Sequence, residues 1–243
     1  MQIKLTIAYD GASYCGWQLQ SGQDSIQARL EAALERIFAT PVRVRASGRT
    51  DAGVHARAQV AAFTLPRPFE TAELQRALNA ILPDDIAILH AESCGDDFDP
   101  RRRAVARVYE YRVLNQSWRS PFERRYAWLI REPLDLDRMN EAAQIFLGEH
   151  DFAAFRSLGT EVKTTVRRVQ VSEWKRTGSQ LTYRVEANSF LRHMVRTMVA
   201  AMIEVGRGKL APRFVAELIQ HRERAMAPAA APPQGLFLIE VRY

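Results

Sequence analysis

A single carboxylate, Asp51, stands between two glycines, Gly48 and Gly53, with the guanidinium of Arg49 two residues before it. Glycines let a backbone turn sharply or approach a ligand closely. So polar and glycine-rich a stretch, Ala46 to Ala56, adds little to a core and reads as a loop built to present Asp51 and Arg49. A carboxylate beside a cation stays ionised, because opposite charge lowers its pKa. An ionised carboxylate can serve as nucleophile or base. The plainer alternative is a turn aspartate bonded to its own backbone; Arg49, Thr50 and the flanking glycines weigh against it. His55 can be a general acid or base, or a loop histidine held by backbone bonds, and the second reading is favoured. No second carboxylate lies close in sequence, so a paired-carboxylate mechanism has no local support. Nor does the chain carry a phosphate-binding loop, a dinucleotide fingerprint, a serine elbow or a zinc deaminase pattern. Cys15 and Cys94 have no metal-type spacing.

Two further groups can touch a substrate. Tyr109 and Tyr111 share one face of a strand with Arg107 just before them. Aromatics suit strands for packing alone, so one of the two is expected in the core and the other free to stack on a base. Arg192, His193 and Arg196 fall within an apolar run that reads as a long helix over Phe190–Val205. There Arg192 and Arg196 stand one turn apart on the same side. An arginine on so apolar a helix reaches to water or pairs with a carboxylate, and Asp51 is a candidate partner for Arg196.

The chain has 243 residues and a formal charge of +6. That excess favours a polyanionic partner. Arginines recur in clusters: Arg101-Arg102-Arg103, Arg124-Arg125, Arg167-Arg168, and Arg192 with Arg196. Any one cluster is an ordinary solvated face, but the recurrence points to phosphate contacts. No run is apolar enough for a membrane span, and the opening residues read as a strand and not as a signal peptide. Two cysteines far apart suggest a reducing, cytoplasmic compartment.

These residues need a frame. Gln2–Tyr9 alternates as a half-buried strand. Ser25 caps a helix with Leu30, Ala33, Leu34 and Ile37 on one side. Val42–Ala46 and Ala58–Thr64 are strands on either side of the Asp51 loop. A helix from Thr71 stops before Pro83, and Ile86–Ala91 is a strand. The second half repeats the order: a strand over Val105–Leu114, a helix ended by Gly148, a hairpin of Arg167–Trp174 and Leu181–Ala187, the long helix, and a last strand in Gly235–Tyr243. Two β-α-β-β-α-β units predict an α+β protein of two tandem ferredoxin-like (RRM-like) halves, residues 1–104 and 105–243. Pairing across them predicts one extended antiparallel sheet with helices on one face and a central ligand-binding cleft. On the residues alone three functions stay open: an RNA-modifying enzyme, a non-catalytic RNA-binding protein with two RRM-like halves, and an enzyme on a small nucleoside.

Gly48-Arg49-Thr50-Asp51-Ala52-Gly53-Val54-His55 resembles the signature loop of the tRNA pseudouridine synthase A family. Tyr9-Asp10-Gly11 through Gly16-Trp17-Gln18 resembles that family's opening motif, and Arg107-Val108-Tyr109-Glu110-Tyr111 its tyrosine strand. His150-Asp151-Phe152 through Ser157, Ala187-Asn188-Ser189-Phe190 through Arg196, and Gly235-Leu236-Phe237-Leu238 complete a likeness over nearly the whole chain. Ala200 departs from it, where relatives often carry glycine. The resemblance implies the pseudouridine synthase fold and an isomerase that converts uridine to pseudouridine at positions 38–40 of the tRNA anticodon stem-loop. It implies no cofactor, no metal and a homodimer in which one tRNA touches both subunits. It assigns Asp51 as the catalytic carboxylate, Tyr109 to stacking on the target base, Arg196 to pairing with the aspartate, and Arg49 to extruding the nucleotide.

Overall fold

The computed structural model describes residues 1–157, 159 and 162–243. In chain order come β1 (Gln2–Tyr9), α1 (Ile26–Phe38), β2 (Arg45–Ala46), β3 (His55–Thr64), α2 (Thr71–Ile81) and β4 (Ile86–Cys94). There follow β5 (Ala106–Asn115), β6 (Trp128–Ile130), α3 (Leu136–Gln144), β7 (Gly148–Asp151), β8 (Val166–Thr177), β9 (Gln180–Ala187), α4 (Met194–Gly206), α5 (Arg213–His221) and β10 (Leu236–Arg242). The chain divides into two units, Met1–Val105 with Phe237–Tyr243, and Ala106–Leu236.

In the first unit the alternation of β1 buries Ile3, Leu5 and Ile7 completely. This strand pairs antiparallel with β3 on one side and β4 on the other. The free edge of β3 is shared: β2 pairs at Ala61 and Ala62, and β10 pairs in parallel at His55 and Ala56. Ser25 caps α1 by accepting the Ala28 N–H, and α1 buries Ile26, Leu30, Ala33 and Leu34. Of the strand expected over Val42–Ala46, only Arg45–Ala46 forms. The reason is local. Val44 N–H donates to Glu31 Oε1 at 3.0 Å, and Val44 O accepts from Gln27 Nε2 at 3.3 Å. Side chains of α1 thus take the backbone groups that a strand partner would use.

In the second unit β5 pairs with β9, β9 with β8 and β8 with β7, all antiparallel, and β6 lies parallel on β5. The β8–β9 hairpin turns at Gly178, whose φ is +59°. Asp135 caps α3 through the Arg138 N–H, and α3 packs against β8 and α4. The close approach of α3 and α4 needs Gly206, where a Cβ would lie 2.6 Å from the Met139 sulfur. Among the described residues no helix is long and apolar enough to cross a membrane.

Further expectations change. The last strand, placed fourth in the second half by the repeat, pairs with β3 and belongs to the first unit. The long helix begins at Met194 and not at Phe190, because His193 has a left-handed φ of +65° and cannot continue a right-handed helix. Arg192 therefore sits exposed in a turn, off the helix that carries Arg196.

Candidate functional site

The Asp51 loop leaves the sheet at Ser47, whose N–H still bonds the Val60 carbonyl. It returns through a turn in which the Asp51 carbonyl accepts the Val54 N–H at 3.1 Å. Gly53 supplies the positive φ, +75°, that this return requires. Asp51 is half-buried and Arg49 exposed, so one loop presents both.

The opening motif grips this loop from one side. Asp10 caps a 3-10 turn at Gly11–Ser13 through the Ala12 N–H. From there Tyr14 O accepts the Gly53 N–H at 3.3 Å, and Trp17 N–H donates to Thr50 O at 3.1 Å. The backbones run so close that side chains are excluded. A Cβ on Gly11 would lie 1.9 Å from Val54 O, and one on Gly16 2.5 Å from Thr50 O. Tyr14 is itself anchored, its hydroxyl donating to Asp85 Oδ1 at 2.5 Å. Burial and the neighbouring Asp85 carboxylate both push its pKa well above the usual phenol range.

A buried polar network grips the loop from beneath. Tyr9 Oη and Thr50 Oγ1 are 2.8 Å apart. The Gln59 side chain accepts from Ser47 Oγ at 2.7 Å and donates to Gly48 O at 3.0 Å. His55 is also structural. Its Nδ1 lies 3.1 Å from the Gly11 nitrogen and 2.9 Å from Asp10 Oδ1, and its ring stacks on Phe237 at 4.6 Å. It ties the start of β3 to the 3-10 turn, as the plainer sequence reading holds.

In the second unit the two tyrosines separate. Tyr111 is fully buried and donates its hydroxyl to Pro232 O at 2.8 Å. Tyr109, half-buried, meets Phe190 edge-on at 5.1 Å between ring centroids. Tyr111 is thus the core residue and Tyr109 the accessible one. Arg107 is buried and donates to Asn188 O at 2.8 Å; it braces the segment leading to Phe190. Arg196 lies in the first turn of α4, half-buried, and its Nε donates to Ala231 O at 2.6 Å. The Ala231 N–H returns a bond to Arg196 O at 3.0 Å.

Of the four residues singled out in the sequence, Asp51 and Arg49 therefore share one loop of the first unit. Tyr109 and Arg196 belong to the second. Tyr9 and Gln59 were not singled out. The signal for Gln59 is a polar side chain on the strand alternation that also carries Ala61 and Phe63.

A model of the tRNA pseudouridine synthase family matches residues 5–101 and 142–243. Asp51, Arg49 and Arg196 fall within the matched segments and Tyr109 outside them. Curated relatives cover all four positions. The tRNA pseudouridine synthase A of Geobacter sulfurreducens is 47% identical over 241 residues, 99% of each chain. That of Maridesulfovibrio salexigens is 45% identical over 247 residues, all of this chain and 90% of its own length. That of Myxococcus xanthus is 43% identical over 243 residues, all of this chain and 92% of its own.

Proposed function

We propose, from the premise that this chain belongs to the tRNA pseudouridine synthase family, that Asp51 is the carboxylate at which its uridine is rearranged. The enzyme is an isomerase acting on tRNA. The observation that carries the reading is the Asp51 loop, in which Asp51 is half-buried and the backbone is held from two sides by backbone and buried side-chain bonds. A rigid, presented carboxylate does little for a fold and is what an ordered reaction needs.

The chemistry is balanced within the nucleotide. The bond from ribose C1′ to uracil N1 breaks and a bond from C1′ to C5 forms. C5 loses its proton and N1 gains one, with no net redox change. Asp51 can attack C1′, add to C6 or remove the C2′ proton, and each role requires the ionised form. The base must first leave its stack, at a cost of a few kcal/mol. Tyr109 offsets that cost by stacking, worth about 1–3 kcal/mol per base. The family resemblance further gives Arg49 to extrusion and Arg196 to the catalytic aspartate. The target lies at positions 38–40 of the anticodon stem-loop. A homodimer with one tRNA touching both subunits completes the reading. A tRNA substrate and two cysteines outside any disulfide fit a cytoplasmic setting.

Incubating an unmodified tRNA transcript with this protein alone and mapping pseudouridine tests the proposal. Product confined to positions 38–40 supports it, and product elsewhere or none overturns the assignment of target. Tyr109 has its own test in tRNA affinity. Tyr109→Phe keeps the ring and binds like wild type, whereas Tyr109→Leu binds about 5- to 150-fold more weakly, the equivalent of one stacked base. Equal binding by both variants removes the stacking role.

A further inference from the structure

We propose that Tyr9 and Gln59 are positioning residues for the reaction, acting on Asp51 through the Thr50 hydroxyl and the Gly48 carbonyl; the inference rests on the reading of Asp51 above. Gln59 is completely buried in the middle of β3. Its carboxamide orientation follows from its partners. The Val60 N–H, 3.1 Å away, can only donate and so fixes Oε1, while Gly48 O, 3.0 Å away, can only accept and so fixes Nε2. Ser47 Oγ then donates to Oε1, and Nε2 directs its second proton toward Tyr9 Oη at 3.5 Å. All four positions of the amide are taken.

The direction of the next bond follows. The Tyr9 hydroxyl is buried, and burial pushes its pKa up to about 12, so it keeps its proton at neutral pH. That proton needs an acceptor. Gln59 faces it with a donor, which leaves Thr50 Oγ1 at 2.8 Å. Tyr9 therefore donates to Thr50, and the proton of Thr50 itself turns away from Tyr9. The chain of bonds runs from Gln59 through Tyr9 to the side chain immediately before Asp51. A second arm runs from Gln59 to the carbonyl of Gly48. Together with the Trp17 N–H on Thr50 O, these contacts fix the backbone on which the Asp51 carboxylate rides. A network serving stability alone would lower the melting temperature and leave the rate per folded enzyme intact. A positioning network lowers the rate of the bound complex, and a misplacement of about 1 Å costs on the order of 100-fold.

Single-turnover pseudouridine formation on a tRNA transcript, with tRNA affinity and melting temperature measured on the same proteins, decides the matter. Tyr9→Phe and Thr50→Val are each expected to slow the step about 10- to 100-fold, with affinity within about twofold of wild type. The double variant should be no slower than the slower single, because both break one chain. Thr50→Ser, which keeps the hydroxyl, should restore most of the rate. Wild-type rate in Tyr9→Phe, multiplicative losses in the double, or a loss in affinity that accounts for the slowing would each overturn the proposal. If Tyr9→Phe does not fold, Thr50→Val against Thr50→Ser makes the same decision. Asp51→Asn runs alongside. An active Asp51→Asn removes the reading of Asp51 and this inference with it. An inactive Asp51→Asn beside a wild-type Tyr9→Phe removes the positioning role alone.

Discussion

With Asp51 replaced by asparagine, the enzyme is expected to bind tRNA and to make no measurable pseudouridine. Asparagine has the same shape but neither charge nor basicity, so it cannot attack C1′, add to C6 or take a proton. A loss on the order of 1,000-fold or more is expected, since removing a reacting group abolishes stabilisation made only in the transition state. Binding should hold, because a carboxylate contributes nothing favourable to phosphate contacts. Folding should hold too, because the loop is fixed by Gly48, Thr50 and Gly53 and not by the Asp51 carboxylate alone. Tritium release from tRNA labelled at uridine C5 measures the step directly. Substantial release by Asp51→Ala would take the catalytic role away from this residue.

The second large effect is expected at Gly16, far from Asp51 in sequence. Its φ is +94°, a region that side chains resist. A Cβ there would lie 2.5 Å from Thr50 O, 2.9 Å from the Asp51 carbonyl carbon and 3.0 Å from Ala52 N. All three are backbone atoms, so nothing flexible can yield. Strain and overpacking together cost roughly 2–5 kcal/mol. The opening motif must lift, and the Trp17 N–H loses Thr50 O. Gly16→Ala is therefore expected to melt several degrees lower, at about 2–4 °C per kcal/mol for a chain of this size, and to lose most of its turnover. Gly22→Ala is the control. Its φ of +72° imposes similar strain, but nothing lies within 4 Å of the added carbon. If the two variants behave alike in melting and in rate, the contact between opening motif and loop has no functional weight.

The Asp51 loop was legible because glycines and polar residues between two apolar strands leave little else for the segment to do. The order of the longer elements was legible from apolar periodicity, and the Ser25 cap from chemistry, whereas the short strands β6 and β7 were not. Other features were set by partners remote in sequence. Alternation puts Tyr109 and Tyr111 on one face and cannot say which is covered. The cover over Tyr111 comes from the connector at Pro232, more than a hundred residues on. The start of α4 depends on a left-handed histidine, for which helix propensity gives no sign. The strand at Val42–Val44 had the right pattern, but Glu31 and Gln27 claim its backbone. Gln59 looked like an unremarkable polar residue until Tyr9, Ser47 and Gly48 converged on it.

The pairing of Phe237 and Leu238 with His55 and Ala56 bears on how the protein is made. A ribosome delivers the first hundred residues early, yet the strand that finishes their sheet emerges only after the whole intervening unit has been translated. Until then the start of β3, at His55 and Ala56, stands open beside the Asp51 loop, a template for unwanted pairing. A messenger cut short before Phe237 would yield no half-working enzyme, because the shortfall falls on the portion translated first.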